Sequence, residues 1–152
     1  MKTMIYYTSN YSPTALIMAA RKTGLIHNDR SLLVSDLKQL TFLNSGGIKG
    51  KLIFVGADRN YNQIYALTAC GPKDLILRFL NSFLGLCAKE NKNSENKNHA
   101  IIDCTVQPNL LLELSWFLYR KNIFRSIFGQ IVCNLINKGF TRLKVEKRIF
   151  DF

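Results

Sequence analysis

The chain contains three prolines, Pro13, Pro72 and Pro108, and each stands between a β-branched or aromatic run and a long apolar run. Proline lacks a backbone N–H and holds φ near the helical value, so it fits the first turn of a helix and disrupts most other regular positions. The segments before the prolines, MIYYT at 4–8, QIYALTA at 63–69 and HAIIDCT at 99–105, read as strands. The apolar segments after them read as helices. Strand, turn and helix repeated in this way constrain the chain to the α/β class.

The first helix runs to about Lys22, with Ser12 placed to cap it and Gly24 placed to end it. Its residues Ala15, Leu16, Ile17, Met18, Ala19 and Ala20 are apolar almost all round, which implies burial against a sheet. Asp29 and Ser31 are positioned to cap a second helix over 31–43, with Leu32, Leu33, Leu37 and Leu40 near one face and a Gly-rich exit at 44–50. KLIFVG at 51–56 and QIYALTA flank a turn around Asp58 to Asn62, the pattern of an antiparallel hairpin. From Pro72 to about Ala88, residues Leu75, Ile76, Phe79, Leu80, Phe83, Leu84 and Leu86 predict a helix with a wide buried face. Pro108 opens a further helix over 109–122 that reads as largely buried, another spans 123–138 and ends at Gly139, and the tail from Phe140 to Phe150 is ambiguous, read as helix from the spacing of Phe140, Leu143, Lys147 and Phe150 although Leu143 and Val145 alternate as in a strand.

These elements predict one domain over 1–152, a three-layer α/β fold with a small mixed sheet of about four strands flanked by helices. The run at 89–98 has no apolar residue and reads as a solvated loop. A hairpin followed by a crossover makes the fourth strand run opposite to the second, which puts Asp58 and Asp103 at opposite ends of the sheet.

With 47% hydrophobic residues in 152, the chain carries enough apolar surface for a core, which excludes a disordered or collagen-like protein. Its apolar stretches are broken by charged or amide residues well before the roughly 18 to 20 residues that a membrane span requires. The opening MKTMIYYTSN lacks the apolar core and cleavage site of a secretory signal, so cytoplasmic residence is expected. Cys70, Cys87, Cys104 and Cys133 are widely spaced, and His27 and His99 stand apart from them. That pattern predicts buried free thiols in a reducing cytosol and neither a metal site nor a cofactor.

The loop Thr8, Ser9, Asn10, Tyr11, Ser12 lies between a buried strand and a helix amino terminus, where backbone amides and the helix dipole attract anions. Hydroxyls of Ser9, Ser12 and Thr14 would add donors to a phosphate or carboxylate, although the loop has no glycine or lysine and is neither a Walker A loop nor a GxGxxG fingerprint. The competing reading is that Ser12 and Thr14 serve only the helix's own free amides. Asp58 with Arg59, Asn60 and Asn62 offers a carboxylate and amides to a pocket, at the end of the first loop if strands one and two are parallel. Its bland alternative is an Asx turn. Asp103 follows three apolar residues at a strand end, where a carboxylate must be exposed or paired. Cys104 has no visible base beside it, which weighs against a nucleophile.

Positive charge is general, with 21 basic residues against 10 acidic ones, and from Leu114 onward it becomes a basic segment: Arg120, Lys121, Arg125, Lys138, Arg142, Lys144, Lys147 and Arg148 against Glu146 and Asp151. Such a face suits nucleic acid or another polyanion by nonspecific electrostatics. No RNP, helix-turn-helix or zinc-finger pattern accompanies it. Two function classes therefore stand side by side: a domain binding an anionic small molecule at the first loop, and a noncatalytic interaction protein using its basic carboxy-terminal face. A hydrolase or transferase built on Asp58 or Asp103 is a third.

The ordered segments IYY with a polar loop and an Ala-rich helix reaching Gly24, then IFVGAD and NQIYAL, then DCTVQPN and WFL, resemble an uncharacterised bacterial family, the domain of unknown function DUF3189, over nearly the whole chain. In that family the first strand ends in Cys and the loop is a Gly-Gly stretch followed by His and two small hydroxyl residues. Here Thr8, Asn10, Tyr11 and Pro13 stand at the corresponding Cys, Gly, Gly and His positions, and Thr14 keeps one hydroxyl. Asp58, Tyr65, Asp103 and Asn109 fall on matching positions, so the resemblance favours them over the basic tail as places to look. It supplies no activity, and the missing glycines and histidine imply that an activity of the family need not survive in this member.

Overall fold

The computed structural model describes residues 2–43, 50–90, 99–106 and 109–140. Its strands are β1 (Thr3–Thr8), β2 (Leu52–Ala57), β3 (Gln63–Thr68) and β4 (His99–Asp103). The helices are α1 (Thr14–Thr23), α2 (Val34–Leu43), α3 (Lys73–Glu90), α4 (Leu110–Arg120) and α5 (Arg125–Phe140). The strands form one mixed sheet in the order β2-β3-β1-β4, with β1 parallel to both β3 and β4 and β2 antiparallel to β3. The carboxyl ends of β1, β3 and β4 therefore share one edge of the sheet, and β2 ends at the other. Asp58 and Asp103 lie at opposite ends as predicted, and because β2 runs against β1, Asp58 is not at the end of the first loop.

Alternation along the strands makes two apolar cores. Ile5, Tyr7, Leu67 and Ile101 pack against Ile76, Leu80 and Leu84 of α3 on one face. Tyr6, Ile64, Ala66 and Ile102 point the other way, into a larger core with α1, α2, α4 and α5. This is the predicted three-layer α/β arrangement.

Several element ends differ from the sequence reading. α2 begins at Val34 and not at residue 31, because Leu32 is tied through its N–H and its carbonyl to the Asn137 side chain of α5 at 2.9 and 3.2 Å. A backbone engaged on both sides by another element cannot also enter a helix ladder. Asp36 then serves as the local acceptor, taking the Leu33 N–H at 3.0 Å and pairing with Arg30 at 2.8 Å. α3 continues to Glu90, into the start of the segment expected as a loop, and α5 passes through Gly139 to Phe140. Pro108, residues 91–98 and the tail from residue 141 lie outside the described residues.

On α3 only Ile76, Leu80 and Leu84 of the seven apolar residues expected on a buried face are enclosed, while Leu75, Phe79, Phe83 and Leu86 point outward. A helix lying on a sheet buries one stripe, and among the described residues no further layer covers its back. α4 likewise buries Leu112, Ser115, Trp116 and Tyr119 but exposes Leu110, Leu111, Leu114 and Phe117, so the expectation of near-complete burial does not hold for it.

Two glycines carry conformational demands. Gly24 ends α1 at φ 81°, the predicted left-handed cap, and its N–H reaches the Arg21 carbonyl. Gly56 sits in a β-bulge of β2 at φ 153°, where an added Cβ would meet Thr23 Cγ2 of α1 at 3.3 Å. The bulge lets α1 approach the sheet edge.

Candidate functional site

Three loops leave the shared carboxyl edge of β1, β3 and β4, and backbone hydrogen bonds stitch them together. Ala69 N–H donates to Thr8 O at 3.0 Å, Gly71 N–H to Ser9 O at 3.3 Å, and Cys104 N–H to Tyr7 O at 2.8 Å. α1, α3 and α4 all start from this edge, so their amino-terminal dipoles lie on the same side of the sheet. In open α/β sheets ligands bind outside such strand ends.

Within the first loop, Asn10 is the hub. Its Oδ1 accepts from the Thr8 hydroxyl at 2.5 Å and from the Ser12 hydroxyl at 2.9 Å, while its Nδ2 donates to Val106 O at 3.0 Å. Ser12 Oγ and Thr14 Oγ1 are 2.8 Å apart. A hydroxyl has one proton. With those of Thr8 and Ser12 committed to Asn10, Thr14 supplies the donor to Ser12, and the network closes on itself. Thr8, Ser12 and Thr14 are buried.

That closure changes the role of these residues. Ser12 does not cap α1; the helix starts from Pro13 with no side-chain cap. The hydroxyls of Ser12 and Thr14 face each other and so hold the shape of the loop, leaving the donors at the start of α1 to the peptide N–H groups. Ser9 and Asn10, by contrast, are half-buried at the rim.

A second chain of bonds runs across the edge from α3. Lys73 Nζ lies 2.6 Å from Asp103 Oδ2, and Asp103 Oδ1 accepts the Thr105 N–H at 2.9 Å. Thr105 Oγ1 in turn accepts the Ser9 N–H at 3.0 Å and the Ser9 hydroxyl at 3.1 Å. Partial burial works to raise the pKa of Asp103, but the Lys73 and Thr105 hydrogen bonds outweigh it and hold the carboxyl below its ordinary range. Cys104, next in sequence, is enclosed, and burial followed by the Asp103 charge pushes its thiol up to about 12. It stays protonated at neutral pH and is not a poised nucleophile. On the far side of the loop, Arg120 of α4 donates to Tyr11 Oη at 3.0 Å.

Asp58 and Asn60 belong to the opposite end. Asp58 Oδ1 accepts the N–H groups of Asn60 and Asn62 at 2.9 and 3.0 Å, and Oδ2 accepts Asn62 Nδ2 at 3.1 Å with Lys22 Nζ at 3.6 Å. Desolvation acts to raise its pKa, yet the bonds from Asn62 and Asn60 and the Lys22 charge bring it below the usual value. The carboxylate is occupied by the turn that it closes, the Asx arrangement. Asn109 caps α4, accepting the N–H groups of Leu111 and Leu112 at 3.0 and 3.3 Å. The edge thus brings together Thr8, Ser9, Asn10, Ser12, Thr14 and Asp103, and leaves out Asp58 and Asn60.

Of the basic residues considered for a polyanion face, Arg142, Lys144, Lys147 and Arg148 lie outside the described residues. Lys121 sits over the Phe117 ring at 5.9 Å and Arg125 over the Tyr119 ring at 5.0 Å. Among the described residues no group of His, Cys, Asp and Glu is arranged to hold a metal, and no helix is long and apolar enough to cross a membrane.

Lys73 and Thr105 were not singled out by the sequence reading, which named Tyr11 as a member of the first loop but gave it no contact with Arg120. Lys73 did leave a signal: a cation directly after Pro72 at a helix start opposes the helix dipole, which argues for a specific anionic partner. Nothing local marks Thr105, whose role exists only because β4 lies beside β1.

The family model described as "Protein of unknown function (DUF3189)" matches residues 3–147. No curated protein and no solved structure matches the chain.

Proposed function

Because the chain belongs to the DUF3189 family, whose description names no activity, we propose a function from the site itself: binding of a small phosphate- or carboxylate-bearing molecule at the β1–α1 loop. One observation carries this reading. The hydroxyls that would ordinarily cap α1 are bonded to one another, so the helix begins with no side-chain cap at the carboxyl edge of the sheet. Peptide N–H groups at a helix start, with the dipole behind them, favour an anion. Ser9 and Asn10 stand at the rim, while Lys73 and Arg120 bring positive charge to the same edge. Thr8, Ser12 and Thr14 act as positioning residues, and Asp103 and Thr105 hold Ser9. Free thiols at Cys104 and Cys133, buried as expected, and at Cys70, which is exposed against expectation, suit a reducing compartment such as the cytoplasm.

Thermal stability against inorganic phosphate, nucleotides, sugar phosphates and heparin, each at low and high salt, tests this reading. A ligand present at about a hundred times its Kd stabilises the fold by about 2.7 kcal/mol. The expected result is a salt-resistant rise in melting temperature with one small anion, abolished by Asn10→Ala and weakened by Ser12→Ala. Absence of any small-anion effect, or neutrality of both variants for binding, rejects it. Stabilisation by heparin alone, vanishing at high salt, would transfer the function to the basic carboxy-terminal segment.

A further inference from the structure

We propose that the outward face of α3 is the two-fold contact of a homodimer, in which Leu75, Phe79, Ser82 and Leu86 of one copy lie antiparallel against the same residues of the other. These four positions recur at intervals of four, three and four residues, which places them along one side of the helix. Read in the opposite direction the intervals are the same. A two-fold axis between Phe79 and Ser82 therefore sets Leu75 against Leu86 of the second copy and each Phe79 ring against a small serine. Isologous contacts require this self-complementarity of a patch.

The exposed area fits a second copy. Leu75, Phe79, Phe83 and Leu86 are 42 to 66% exposed. At ordinary side-chain sizes they present on the order of 500 Å² per protomer, near the upper end for a patch on a monomer. Two copies would enclose about 1,000 Å², the area at which a specific interface becomes credible. Phe54 of β2, 55% exposed and tilted against the Tyr65 ring at a centroid distance of 5.2 Å, adds apolar surface on the same side of the sheet.

Charge favours this face as well. A chain of net charge +11 resists self-association over most of its surface. Between Asp74 and Leu86, however, the only charged residues are Asp74 and Arg78, of opposite sign. The segment that follows α3, 91–98, has no apolar residue with which to cover the stripe. α4 exposes a comparable series, Leu110, Leu114, Phe117 and Lys121, but reversal sets Leu110 against Lys121, whose ammonium already lies over Phe117. That face is not self-complementary.

Sedimentation equilibrium of the full chain over a concentration series is the test. The expected result is a monomer–dimer equilibrium that Phe79→Glu shifts to monomer, with the far-UV circular dichroism of the protomer unchanged because Phe79 is not part of its core. Leu75→Lys and Leu86→Glu should each weaken the dimer about tenfold or more. Combining both substitutions in one chain should recover affinity, because antiparallel register sets each new cation against the new anion of the other copy. A wild-type chain that stays monomeric throughout the series overturns the proposal. So does a dimer indifferent to Phe79→Glu, and a double variant weaker than either single one overturns the antiparallel register.

Discussion

Asp58 and Asp103 both stand at strand ends, both hold their carboxyls below the ordinary range and both have a lysine close by. They differ in where their partners come from. Apart from Lys22, everything bound to Asp58 lies within four residues of it, so the carboxylate closes one hairpin turn. Asp103 joins Lys73 of α3 to Thr105 and, through it, to Ser9 of the first loop. The first is a local fastener and the second a tie between three loops. A strand-end carboxylate is thus informative about a site only when its partners are distant in sequence.

Replacing Asp58 should produce the largest effect on stability. Asp58→Ala strips the N–H groups of Asn60 and Asn62 of their acceptor in a largely enclosed turn, which costs about 2–3 kcal/mol. Chemical denaturation should show that loss, with anion binding at the other edge unchanged. If Asp58→Ala also abolished anion binding, the separation of the two edges would be wrong.

Asp103→Ala should cost less stability, about 1–2 kcal/mol, since its side chain and that of Lys73 retain access to water. It should nevertheless alter ligand affinity, because it releases Thr105 from the bond chain that holds Ser9. Calorimetric titration of wild type and variant with the stabilising anion separates the two effects. A stability loss with unaltered affinity would reduce Asp103 to a second local fastener.

Acid should weaken both sites together. Each carboxyl has a folded pKa below its unfolded value, so its contribution is complete above the unfolded pKa of about 3.9 and is lost as pH falls through the folded one. The melting temperature should therefore fall below about pH 4, and the fall should flatten in Asp58→Asn and Asp103→Asn variants. An unchanged acid slope in either variant would show that its carboxyl does not differ between folded and unfolded chains.

The smallest expected effect is that of Tyr11→Phe, which removes the hydroxyl accepting from Arg120 at the rim and should cost about 0.5 kcal/mol. A much larger loss in a denaturant titration would make the Tyr11–Arg120 contact a third tie across the edge, comparable with Asp103.

Much of this arrangement was legible in the sequence, for identifiable reasons. The three prolines and the β-rich runs before them marked the strands, and the polarity of DRNYN marked the hairpin turn that Asp58 closes. Ser12 was misread as a cap because capping is the commonest local use of a serine before Pro13, whereas its hydroxyl is drawn to Asn10 and Thr14. The start of α2 was misplaced because Asn137, more than a hundred residues away, claims the backbone of Leu32. Of the seven apolar residues expected on the buried face of α3, helical spacing alone does not distinguish the three that are enclosed from the four that face outward.

By itself the sequence determined the α/β class, the order of the elements and the hairpin around Asp58. Those follow from proline chemistry, side-chain periodicity and chain direction, all of which act over a few residues. The tertiary structure alone decided that β4 lies beside β1, which joins Ser9 to Thr105 and Asp103. It also decided that, among the described residues, α3 keeps one side of its apolar surface uncovered. Strand adjacency and helix coverage depend on how layers close around a shared core, and no local pattern encodes which surface a given side chain will meet.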